Sequence, residues 1–174
     1  MTFSTRKLLA GLAVVMLSSS PLLASAAGNA YQMGLPEEAP GAELIKAGQF
    51  KAGIEQAVSP RQADTDPFFR QLSLCVAYSR TADFASAEAA CTEAVQRAGT
   101  LQAVPRSAKR EMRALALNNR AVMNLMAGDK VAALQDLMLA VKLDNSELTV
   151  ANLQRLTMSI NGIASTQVAQ QAAE

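Results

Sequence analysis

The two cysteines of this chain, Cys75 and Cys91, stand sixteen residues apart and are its clearest candidates for covalent chemistry. In an oxidising compartment such a pair is a disulfide candidate; in a reducing one it is two thiols. Other reactive groups are scarce. Histidine is absent, which removes the commonest general acid and base near neutral pH. Glu37 and Glu38 adjoin in a turn-rich stretch, while Glu88, Glu93, Asp136 and Asp144 are spaced as solvated helix faces. No zinc set, calcium loop, phosphate-cradling loop or dinucleotide fingerprint occurs. The expectation is a protein without catalysis, metal or cofactor. Basic residues do gather at Arg97, Arg106, Lys109, Arg110 and Arg113, opposed nearby by Glu111. Cations at a helix amino end oppose the helix dipole, so an acidic partner surface is the alternative to a merely solvated helix start. With no aromatic stacking platform among them, nucleic acid is not expected.

These residues must be placed by a chain of 174 residues, half of them hydrophobic but only 4% aromatic. Alanine, leucine and methionine favour helix, and period-two runs of β-branched residues are missing. An all-α fold is expected. The first 26 residues stand apart: Arg6 and Lys7, an apolar run from Leu8 to Leu17, then Pro21 and Ala24-Ser25-Ala26 follow the order of a secretory signal peptide. The run is shorter than the ~18–20 residues that span a bilayer, and no cysteine adjoins the expected cleavage point to carry a lipid. Cleavage after Ala26 leaves 14 Lys and Arg against 15 Asp and Glu, a net charge of −1. The expected location is the bacterial periplasm, with secretion as the alternative and no membrane span in the mature chain.

Residues 27–40, with two prolines and a glutamate pair, read as an irregular lead-in. A short helical pair follows from Gly41 to Ser59, broken near Gly48. After a linker from Pro60, Asp66-Pro67 starts a helix, the aspartate as cap and the proline in the first turn. It runs to Arg80, breaks at "TAD" and resumes to Arg97. "AGTLQAVP" is a second linker, after which Ser107 can cap a helix reaching Ala127. Gly128-Asp129 interrupts, another helix continues to about Leu143, and "DNSEL" starts a last one ending near Asn161-Gly162. The tail 161–174 lacks an apolar face and reads as disordered.

The breaks repeat. Gly48-Gln49-Phe50, Ala82-Asp83-Phe84 and Gly128-Asp129-Lys130 occupy equivalent places, each followed three residues later by a small residue, Gly53, Ala87 or Ala133. The separations are 34 and 46 residues, the second being the first plus a 12-residue insertion. On these positions, "NNRAVMNLMAGDKVAALQDLMLAVKLDN" and "LCVAYSRTADFASAEAACTEAVQRA" resemble the tetratricopeptide repeat family, with a partial unit at Gly41–Ser59. The resemblance implies a short stack of helical hairpins over residues 41–160, an α-solenoid closed by a carboxyl-terminal capping helix. Ala87, Ala121, Ala133 and Cys75 would then lie where helices approach most closely, and Leu74, Tyr78, Phe84, Leu117 and Leu137 between hairpins. Arg120 would bond Asp136 on the facing helix. If the helices pair as in the family, Cys75 lies about one turn from direct opposition to Cys91. A structural disulfide, two buried thiols and a regulated switch therefore all stay open.

The resemblance also implies a concave groove lined by the first helix of each unit. Phe69, Leu72, Ser73, Val76, Ser79 and Arg80 would line it from the middle unit. Leu115, Asn118, Asn119, Val122, Leu125 and Met126 would continue it from the last. Apolar residues with a few amides suit an extended or helical peptide. The implied function is an adaptor of the cell envelope. A protein segment would lie on Val76, Val122, Leu125 and Met126, its backbone held by Asn118 and Asn119 and its acidic flank steered by Lys109, Arg110 and Arg113. The other readings are a thiol-based sensor or small-ligand binder using Cys75 and Cys91, and a self-assembling protein whose groove holds a second copy.

Overall fold

The computed structural model of the protein describes residues 30–102 and 104–171. The expected signal peptide, 1–26, lies outside them, as do the first residues of the lead-in. Among the described residues there are seven α-helices and no strand: α1 (Ala42–Lys46), α2 (Phe50–Ala57), α3 (Pro67–Arg80), α4 (Phe84–Thr100), α5 (Arg106–Ala127), α6 (Lys130–Leu143) and α7 (Glu147–Gln171). None is long and apolar enough to cross a membrane. Each helix packs on the next in sequence, most extensively within the hairpins α3–α4 and α5–α6. Lighter contacts join α1 to α3, α3 to α5 and α5 to α7.

The three breaks share one geometry. Gly48, Ala82 and Gly128 have φ of 78°, 59° and 92°, all left-handed. An aspartate one residue later caps the next helix in two of them. Asp83 accepts from the Ser86 N–H at 3.2 Å and Asp129 from the Ala132 N–H at 2.9 Å. Reversal of the chain within two residues demands this conformation, which costs a residue with a Cβ about 1–2 kcal/mol. Ala82 bears that strain where the other two turns use glycine.

Helix α3 starts as expected, with Asp66 accepting from the Phe68 N–H at 2.8 Å. Two boundaries differ from expectation. The amino cap of α5 is Pro105, with no side-chain cap bond, so Ser107 lies inside the helix. Helix α7 does not end at Asn161-Gly162; its backbone continues to Gln171, and the expected disordered tail is helical through its first eleven residues. Alanine and glutamine carry enough helix propensity to extend a turn already nucleated.

Small side chains let the helices approach. Ala87, Ala121, Ala133 and both cysteines are fully buried, and Leu74, Leu117 and Leu137 fill the layers around them, with Tyr78 and Phe84 half-buried at the edge. Cys75 on α3 and Cys91 on α4 form a disulfide with Cα atoms 4.6 Å apart. The helices oppose the two residues more directly than the one-turn offset expected from repeat pairing, which brings them within bonding range.

Two outcomes follow from these contacts. Replacing both Cys75 and Cys91 by alanine should lower unfolding stability by about 3 kcal/mol, the loop-entropy value for a closure of this length, read as a shift in the urea midpoint at unchanged slope. Ala82→Gly should raise stability by about 0.5–1 kcal/mol, because release of left-handed strain outweighs the added unfolded-state entropy. A lower urea midpoint for Ala82→Gly would show that the turn carries no such strain.

Candidate functional site

Along α5, Leu115, Asn118, Asn119, Val122 and Leu125 recur at helical spacing and form one stripe. Asn152 stands 34 residues after Asn118, at the matching place on α7. The three asparagines are buried to within 1% of complete. A buried primary amide must find partners for one carbonyl and two N–H groups, and here the partner is the chain's own segment Ala30–Pro36.

The pairing is two-pronged. Asn119 accepts from the Gly34 N–H at 2.9 Å and donates to the Gly34 carbonyl at 2.7 Å. Asn152 does the same to Gln32, at 3.0 and 2.7 Å. Asn118 donates to the Gln32 carbonyl at 3.0 Å and accepts from Asn152 at 2.8 Å, so one residue of α5 is locked to α7. Arg155 donates to Asn152 at 3.1 Å and lies over the Tyr31 ring, 5.8 Å from its centroid. Asn119 and Asn152 thus each act on one residue of an extended chain as a neighbouring strand would. The contacts read main chain, with one exception: a Cβ on Gly34 would overlap the Leu115 side chain of α5 and crowd Leu148 of α7, so a larger residue there must displace the leucine.

The side chains of the segment anchor in the core. Tyr31 packs against the cluster of Ala121, Ala133, Leu137 and Leu156, while Met33 and Leu35 pack on Ile45, Val76 and Ala77. Next to the segment a cleft of about 630 Å³ remains, with Ile45, Phe50 and Val76 on its other side and Lys46 and Arg80 at its margin. The Arg80 guanidinium stands over the Phe50 ring at 5.8 Å.

The candidate residues therefore divide. Val76, Asn118, Asn119 and Val122 are buried, and Leu125 is half-buried. Met126 stays 42% exposed at the end of the stripe. Among the described residues no hydrogen bond or ion pair joins Lys109, Arg110 or Arg113 to this site. Arg110 instead donates to the Leu143 carbonyl at 2.9 Å, closing the carboxyl end of α6. Arg120 makes the expected forked bond to Asp136, at 2.8 and 2.7 Å. That hydrogen bond raises the arginine's already high pKa against the opposing effect of burial. The arginine's contribution is complete below its unfolded pKa and is lost as pH rises through the folded value in strong alkali, so the guanidinium is no switch near neutral pH. Tyr31, Gly34, Asn152 and Arg155 were missed from sequence. The 34-residue step from Asn118 to Asn152 was the signal available for one of them.

Comparison of the chain with protein-family models, curated proteins and solved structures gave no match.

The amide ladder predicts a residue-specific exchange pattern. Asn119→Ala should speed hydrogen exchange of the Gly34 amide, and Asn152→Ala that of Gln32, each leaving main-chain groups unpaired at a cost of about 1–3 kcal/mol. Unchanged protection at both amides would mean that packing of Tyr31, Met33 and Leu35 alone holds the segment.

Proposed function

We propose that this protein is a non-catalytic, tetratricopeptide-like module of the bacterial cell envelope that binds an extended segment of another protein. The observation that carries the reading is the set of three buried amides pairing with the main chain of an extended segment, here supplied in cis. A surface built to read polypeptide main chain is suited to polypeptide ligands and owes little to side-chain identity. The repeat reading is supported by the recurrent left-handed turns at 48, 82 and 128 and by the order of helix contacts. The envelope location is supported by the leader-like first 26 residues and by a cysteine pair that bonds.

The sensor reading is weaker. Both cysteines are fully buried within one hairpin, where a redox partner has no access. The steering role of the basic cluster narrows to Lys109 and Arg113, since Arg110 already holds α6.

A photo-crosslinking residue at Phe50 or Met126 in the exporting cell should yield a discrete adduct with another polypeptide, and one at Gln96 on α4 should not. Adducts from Gln96 alone would move the interaction to the opposite surface and end the groove reading. Arg110→Glu should lower thermal stability without changing partner association, whereas Arg113→Glu should slow association and flatten its salt dependence.

A further inference from the structure

We propose that the cleft beside the amino-terminal segment is a strand-addition site. An extended segment of a partner protein, apolar at alternate positions and carrying a carboxylate, pairs with the free edge of Tyr31–Leu35 and sets that carboxylate against Arg80. The proposal rests on the reading of the protein as a polypeptide-binding module and names where and how the polypeptide binds.

The edge follows from the amide pairing. In an extended chain the N–H and C=O of one residue point to one side, and those of the next residue to the other. Gln32 and Gly34 both direct theirs at the asparagines of α5 and α7. Tyr31, Met33 and Leu35 must direct theirs the opposite way. Among the described residues no hydrogen bond engages the main chain of those three. Such an edge is a template for another strand, and the space it faces is the cleft, whose volume of about 630 Å³ is that of a ligand site.

The far wall selects the occupant. Half-buried Phe50 offers apolar surface to an occupant's side chains, while Ile45 and Val76 line the cleft but are only 4% and 7% exposed. The charged residues at the cleft are Lys46 and Arg80, with no carboxylate among its lining. Lys46 is shared with Glu37 and Glu43 at 4.0 and 3.5 Å. Arg80 has no ion pair among the described residues and is held in place by Phe50. An acidic group on the partner completes it. A second copy donating the same edge, "AYQMGL", brings no carboxylate, so charge complementarity favours a different protein.

The test selects random displayed peptides with free carboxyl termini on the full-length folded protein, then resynthesises the binders. Each peptide N–H is replaced in turn by N-methyl. Loss of one main-chain bond weakens binding about tenfold or less by hydrogen-bond energy alone, so an expected loss of about that size should recur at every second residue and be small between. Met33→Pro removes an edge donor at a position that already follows extended backbone, and should weaken binding similarly, whereas Met33→Ala should have less effect. Arg80→Gln should abolish any preference for a carboxylate over its amide. Period-free N-methyl tolerance, or full binding by a folded Met33→Pro protein, overturns strand addition while leaving polypeptide binding intact. Tighter binding by Asn152→Ala would instead show that the peptide displaces the segment, and competition by decanoate without the alternating pattern would show a site for anionic amphiphiles. If no peptide is selected, polypeptide binding itself falls.

Discussion

Three side-chain amides held out of water govern this structure. Asn118, Asn119 and Asn152 lie on the faces of α5 and α7 that helix packing brings together, and an unpaired buried amide costs more than a typical hydrogen bond returns. No helix can satisfy them, since its own main chain is already paired. An extended segment can, because it presents N–H and C=O together at every second residue. The amino-terminal segment is therefore a necessary part of the packed core, and its glycine, aromatic and methionine positions follow from where it lies.

The scaffold that brings those amides together is built from little bulk. With aromatics at 4% of the chain, close approach of helices replaces large side chains as the source of dispersion energy. Alanines at the crossings and a cysteine pair joining α3 to α4 make this approach possible. The recurring left-handed turn keeps each hairpin tight enough for the small residues to meet. Asp83 and Asp129 then satisfy helix N–H groups that the turn leaves open.

Much of this was legible in the sequence because it is local. Turn triplets, caps and small residues at fixed offsets fix helix boundaries within a hairpin; Ala87 and Ala133 lie where the spacing places them, and Arg120 bonds Asp136 as the family resemblance implies. From sequence, Asn118 and Asn119 are expected to hold a partner's main chain; in the structure they hold the chain's own Gln32 and Gly34. Tyr31 to Leu35 alternate apolar and non-apolar residues over only five positions, too short a run to mark an element, and the partners of Gln32 and Gly34 stand 85 to 120 residues away. The extension of α7 was missed because a helix already nucleated by packing needs no apolar face to continue. Arg110 was missed as a cap because its acceptor belongs to another helix.

The bond from Gln32 to Asn152 spans 120 residues, whereas most helix contacts join neighbours in sequence. A linear stack with neighbour-only coupling can fray from either end, each hairpin melting nearly on its own. Here residues 30–36 are fastened to the last helix, so the two ends of the described structure are coupled directly. Loss of either end then removes partners from the other, so the unfolding of α7 and the release of residues 30–36 become a single event. Closing a loop of this length costs more chain entropy than closing any one hairpin, and the main-chain reader is incomplete without α7.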